Sequence, residues 1–146
     1  MRLEPLFCAK EHKLHKIADG QIFDTAKLER IELPWSQIQL AGDTYNEEFL
    51  AELRTRLKTF EAVGKFAVLI PIADMPLESA EQTDSFIAAF NHTARRIKDC
   101  AAVAGFEIPP ELNDAQDFMD TLAVKHAQYV YFSKQQDLSD ERVVLY

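Results

Sequence analysis

Phe66-Ala67-Val68-Leu69-Ile70-Pro71-Ile72-Ala73 is an unbroken apolar run, and its reading decides the fold. A run this short and apolar on both faces is what a sheet needs when helices cover it on two sides. Pro71 has no amide N–H to give a ladder, so the hydrogen-bonded part is expected to end near Ile70. Just upstream, Gly64 offers the left-handed conformation that ends a helix cheaply. The helix it would end carries Phe49, Leu50, Leu53, Leu57 and Phe60 at steps of three and four, one stripe for a core. Thr44-Tyr45-Asn46-Glu47 fits a capping box at its start. Glu47, Glu48 and Glu52 come early and Arg54, Arg56 and Lys58 late, as the helix dipole favours.

Downstream, a second helix is expected from about Ser79 or Ser85 to Cys100, burying Phe86, Ile87, Phe90, Ala94 and Ile97. His92, Arg95, Arg96 and Lys98 are read as its outward face. Val103 to Ile108 is the next strand, stopped by Pro109-Pro110. Asn113 or Asp114 caps a third helix bearing Phe118, Met119, Leu122 and Ala123. Tyr129 to Phe132 is a further strand, and Arg142 to Tyr146 a last short one. Ahead of all this, Leu3 to Ala9 and Lys13 to Ile17 read as short strands, and Asp19-Gly20 readily turns a hairpin. Leu28, Ile31 and Leu33 lead into Trp35, Ile38 and Leu40 across Pro34, the better strand being Trp35 to Ala41.

From Trp35 the order is β-α-β-α-β-α-β, which points to parallel strands joined by crossovers of one hand. The expected fold is α/β: an open, mostly parallel sheet of four to six strands, about three crossover helices and an N-terminal β-hairpin, in a single domain over 1–146. Three crossovers are too few for a closed eight-fold barrel of about 250 residues.

Composition narrows the partners. Of the 146 residues 47% are hydrophobic, and 16 Lys and Arg stand against 24 Asp and Glu, for a formal charge of −8. That balance repels phosphate backbones and anionic lipid, and no apolar run reaches the roughly eighteen residues of a membrane span. Met1-Arg2-Leu3-Glu4-Pro5 lacks the basic-then-apolar order of a signal peptide, and two cysteines are too few for a disulfide scaffold, so a reduced cytoplasm is expected. Gly-rich phosphate loops, Cys-x-x-Cys, His-Glu-x-x-His and Gly-x-Ser-x-Gly are all missing, and no cofactor is expected.

Two resemblances emerge from these residues. From Gln39 to Phe132 the chain resembles the STAS domain of anti-sigma-factor antagonists and their lipid-binding relatives. Leu40-Ala41-Gly42 ends a strand, Glu47 to Phe60 is the first helix, Phe66 to Ile72 the central strand and Val130-Tyr131-Phe132 the terminal one. The resemblance implies a serine switch near the start of the second helix, which is Ser85 after Asp84, with Ser79 second. The chain is also similar to family 5-like glycoside hydrolases. Arg30-Ile31-Glu32-Leu33-Pro34-Trp35 looks like their second strand, and Phe86 to Phe90 through Ala94 to Asp99 like the helix before the fourth. Phe106-Glu107-Ile108-Pro109-Pro110-Glu111-Leu112 then places Glu111 on the acid/base glutamate. Glycoside hydrolysis with retention needs two carboxyls about 5 Å apart. Glu107 and Glu111 flank Pro109-Pro110 at a strand's carboxyl end, where α/β proteins bind ligands.

Cys8, His12 and His15 put three zinc-type donors within one short stretch, among Lys10, Lys13 and Lys16, so a solvated basic stretch is the plainer reading. Cys100 reads as a small buried hydrophobe. Tyr129 and Tyr131 share one strand face and read as core. The expected function is a non-catalytic regulatory or binding module. It engages a protein partner or a small apolar ligand through the loop from Asp74 to Ser85, with Asp74, Asp84 and Ser85 as contacts. The rival is a half-barrel carbohydrate-binding or hydrolytic module using Glu111, completed by a second copy; a homodimeric scaffold is the third option.

Overall fold

A computed structural model describes residues 3–42, 44–135 and 139–146. Its centre is a five-stranded, wholly parallel sheet of β3 (Glu29–Pro34), β6 (Ala67–Ile72), β7 (Val103–Glu107), β8 (Val130–Ser133) and β9 (Val143–Leu145), in that order. Strands β1 (Phe7–Lys10) and β2 (Lys13–Lys16) form the N-terminal antiparallel hairpin. A short helix α1 (Trp35–Ile38) and a two-stranded ribbon, β4 (Gln39–Ala41) with β5 (Thr44–Tyr45), separate β3 from α2 (Glu47–Ala62). Helices α3 (Ala80–Arg96) and α4 (Ala115–Ala123) complete the set.

Spatial order follows sequence order, so crossovers of a single hand put every crossover helix on one face. That face holds the larger core. Leu50, Leu53 and Leu57 of α2, Phe86 and Phe90 of α3 and Phe118 and Leu122 of α4 pack over Ile31, Leu33, Leu69, Phe106 and Tyr131. The expectation of helices on both faces is corrected here. The opposite face, Val68, Ile70, Ala104, Val130, Phe132 and Val144, is covered by Phe7 and Leu14 of the hairpin and by Leu28. Three mutually perpendicular rings, Phe7, Phe23 and Phe66, close its end.

The first strand of the sheet is Glu29–Pro34, not Trp35 to Ala41. Trp35 and Ile38 are buried because one helical turn puts them on the same side, three residues apart. Helix α2 is capped by Asn46, whose side chain accepts from the Phe49 amide, while Thr44 of the expected capping box lies in β5. Its other end matches expectation: Gly64 has φ +72°, and Lys65 and Gly64 donate back to the carbonyls of Phe60 and Glu61, closing a Schellman motif. Strand β6 runs past Ile70 to Ile72. The Ala67 amide donates to Ala102, so odd-numbered residues of β6 point toward β7. Pro71 therefore faces β7 beyond their last pair, Leu69 with Phe106, while Ile72 still pairs with Pro34 of β3. The third helix is capped by Asp114, which accepts from the Asp117 amide.

The β1–β2 turn lies at Glu11 and His12, with φ of +52° and +61°. Asp19-Gly20 does turn the chain afterwards: Phe23 donates to the Leu14 carbonyl and His15 bridges to Ile22. A left-handed histidine is costly, and the structure around it shows why it is kept. His12 Nδ1 lies 3.0 Å from the Val143 carbonyl, and the Leu145 amide donates to the His12 carbonyl at 2.9 Å. One residue thus occupies outward-facing groups of β9 and seals that sheet edge.

Candidate functional site

Pro34 fixes the end of β3, and the chain leaves the sheet as a flap made of α1 and the β4 and β5 strands. The Asn46 amide donates to the Ile38 carbonyl at 2.8 Å and closes the flap at its base. Inside it, Trp35 Nε1 donates to Gln39 Oε1 at 2.7 Å, and Gln39 Nε2 donates to the Gly42 carbonyl. Gln39 thereby fixes both the indole and the tip of the ribbon. Across from the flap, Asp74 follows β6 and accepts from the Ser36 amide at 2.9 Å and from its hydroxyl at 2.5 Å. The Trp35 ring meets Phe86 of α3 edge to face at 5.2 Å.

These ties enclose a cleft of about 370 Å³ at the carboxyl ends of β3 and β6. Trp35, Leu40, Met75 and Pro76 give it apolar walls, Gln39, Gln82 and Ser85 supply polar groups, and Glu81 of α3 places one carboxylate on the lining. Ligands of α/β sheets bind outside the carboxyl ends of the strands, and this volume lies in the range of small-molecule sites. Leu40 is 59% exposed, a large apolar side chain held in solvent at the rim.

The sequence-derived residues fall in different places. Ser85 lines the cleft, but it does not open α3. The helix is capped by Ser79, whose hydroxyl accepts from the Gln82 amide at 3.1 Å while Gln82 Oε1 accepts from the Ser79 amide at 3.0 Å. Ser85 therefore sits in the second turn, half-buried, and Ser79 is committed to a reciprocal cap. Asp74 builds the wall through Ser36 and is not itself on the lining. Asp84 is not on that lining; it borders a separate groove between the starts of α3 and α4, along with Ser79, Glu111, Asp114 and Asp117.

Glu107 and Glu111 are not brought together. Glu107 lies at the end of β7, where its Oε1 accepts from Tyr146 at 2.5 Å and from Arg30 at 3.2 Å. Glu111 lines the acidic groove instead. Burial and the bond to Glu107 push the Tyr146 phenol above its ordinary 10. Cys8 and His15 are opposite each other in the hairpin register, and His15 Nδ1 lies 3.3 Å from the Gly20 carbonyl. Among the described residues no group of three Cys, His, Asp or Glu is placed to hold a metal ion. No helix among them is long and apolar enough to cross a membrane.

Cys100 is buried, which pushes its thiol up to about 11. Tyr129 and Tyr131 are buried too, and their phenols are raised by the same cause. His92, expected outward, is largely covered: it stacks on Tyr45 at 4.3 Å, and its Nε2 lies 3.1 Å from Glu47. Arg96 donates to both oxygens of the same carboxylate, so Glu47 joins α2 to α3 just behind the flap.

Gln39, Leu40 and Met75 line the cleft without having been marked as site residues by any local sequence pattern. Each is ordinary in its own stretch and becomes a wall only when the flap folds against the loop after β6. No protein-family model matches the chain, and no curated protein matches it.

Proposed function

We propose that this domain is a non-catalytic binding module that takes a small apolar ligand in the cleft between the flap, the loop after β6 and α3. The observation that carries this reading is the cleft itself: apolar walls fixed by Gln39 and Asp74, with the Ser85 hydroxyl as the polar group that orients a guest and Glu81 on the α3 side of the lining. Met75, Pro76, Gln82 and Ser85 of its lining come from the segment between Asp74 and Ser85, and the rest of the wall comes from the flap. A regulatory role follows if charge at Ser85 weakens the binding of an apolar guest, since an anion there would add to the Glu81 carboxylate on the same lining and bring its hydration into the cleft. The two free thiols, Cys8 and Cys100, suit a reducing cytoplasm as its setting.

Trp35 is the only tryptophan in the chain and forms one wall, so its fluorescence reports occupancy directly. Titration with the neutral probe 1-N-phenylnaphthylamine should quench Trp35 by energy transfer. Ser85→Asp should weaken binding about tenfold or more, the order expected for burying a charge beside an apolar guest, with an unchanged melting temperature. Absence of saturable quenching, or equal affinity in Ser85→Asp, rejects the cleft as the site. Loss of binding together with a lowered melting temperature shows Ser85 to be a packing residue and rejects its proposed role.

A further inference from the structure

The sheet has two edges, and they are treated differently. At β9 His12 takes the outward-facing Val143 carbonyl and Leu145 amide, and Asp140 accepts from the Val143 amide. At β3 the Glu29 amide donates to Phe66 of β6, so Glu29, Ile31 and Leu33 direct their backbone groups inward. Arg30 and Glu32 direct theirs outward, and among the described residues none of those amides and carbonyls has a hydrogen-bond partner. The side chains of Arg30 and Glu32 are exposed on the same sheet face, with one residue between them.

We propose that β3 is a self-pairing edge, and that its occupant is β3 of a second copy of this chain, antiparallel about a two-fold axis through Ile31. In that register Arg30 of each copy lies directly opposite Glu32 of the other. Both are outward-facing residues, so each opposed pair exchanges two backbone hydrogen bonds, four in all. Charge selects the register. Pairing centred on Arg30 would set two guanidinium groups face to face, and pairing centred on Glu32 two carboxylates, whereas centring on Ile31 makes both cross-strand pairs attractive. Arg30 donates its terminal nitrogens to Tyr146 and Glu107, so it enters the cross-strand pair through its charge rather than through a preformed hydrogen bond. The dimer is isologous and closes on itself, because β9 offers no second edge to propagate a filament. The cleft at the carboxyl end of the sheet plays no part in this pairing, so the two proposals fail separately.

Sedimentation over about 5 to about 500 μM should show a concentration-dependent dimer. Glu32→Arg, a residue with no internal partner among the described side chains, turns both pairs repulsive and should raise the dimer dissociation constant about tenfold or more. Amide exchange of the wild-type protein gives a readout that needs no variant. The Arg30 and Glu32 amides should slow with rising concentration, while the Ile31 amide, already bonded to β6, should not change. A wild-type chain that stays monomeric across the range overturns the proposal. So does a Glu32→Arg dimer as tight as wild type, or a dimer whose Arg30 and Glu32 amides exchange as fast as in the monomer.

Discussion

Gly105→Ala is the sharpest available test of the sheet. Gly105 lies in β7 beside an irregularity, where the register to β6 slips by one between Ala67 and Val68. A Cβ built there would stand 1.6 Å from the Val130 carbonyl oxygen of β8, where anything under 3.0 Å forces movement. The two strands would have to part locally by 3.0 − 1.6, about 1.4 Å, and the obstacle is backbone that cannot rotate away. An N–H···O bond of about 2.9 Å stretched by that much is no longer a bond. Losing two of the β7–β8 bonds at about 1 kcal/mol each, with overpacking of about 1–3 kcal/mol, gives roughly 3–5 kcal/mol. In a domain of this size that lowers the melting temperature by about 10 °C or more. Gly64→Ala is the comparator: its Cβ would meet nothing within 4 Å, and only the left-handed φ of +72° is strained, costing about 1 kcal/mol. Thermal unfolding followed by circular dichroism ranks the two. A Gly105→Ala protein that melts within about 3 °C of wild type, or above Gly64→Ala, refutes the close approach of β7 and β8.

Other expectations follow from single contacts. Asn46→Ala removes the acceptor for the Phe49 amide and should cost about 1 kcal/mol in urea unfolding, whereas Thr44→Ala should cost far less, since Thr44 does not cap α2. Arg96 first, and then His92, hold the Glu47 carboxyl below its ordinary 4.5. A depressed acid stabilises the folded state above its unfolded pKa, so this contribution is full above pH 4.5 and fades as pH falls through the lower folded value. Glu47→Gln should therefore flatten the acid limb of stability against pH, and an unchanged acid limb would contradict the Glu47–Arg96–His92 junction. Cys100, buried and with its thiol raised to about 11, should resist iodoacetamide at pH 8 in the native protein. Mass spectrometry should find label on Cys8 alone until denaturant is added.

What was legible in the sequence tracks what is local. Helix α2 shows its apolar stripe and its closing glycine within one stretch, and Leu50, Leu53 and Leu57 are buried as the spacing requires. Edge strand β3 was harder. Ile31 and Leu33 alternate with exposed Arg30 and Glu32, while Trp35, Ile38 and Leu40 also look like alternation, and only the single helical turn at Trp35–Ile38 separates the two readings. Ser85 came from the STAS-like resemblance, as a serine near the start of the second helix, but of the two starts expected it is Ser79 that caps the helix, with Gln82 rather than an acid as partner. The cleft draws on segments around Trp35, Met75 and Ser85, whose adjacency exists only after β3 and β6 pair. His12 sealing β9 is a contact across 131 positions, which no spacing rule reaches.

The apolar run in β6 correctly demanded cover on both faces, yet it carried no information about what kind of cover. That follows from topology. In a sheet whose spatial order repeats its sequence order, crossovers of one hand send every connecting helix to the same side. The other face must then be closed by chain outside the βα repeat. Of the described residues before β3, Phe7, Ala9, Leu14, Phe23 and Leu28 fill this role. Their spacing looks like loose strand and turn because each reaches the sheet from a different part of a folded-back hairpin. The strained turn at His12 is intelligible in the same terms: a hairpin laid across a face must stop at its rim, and this one stops by bonding to the last strand.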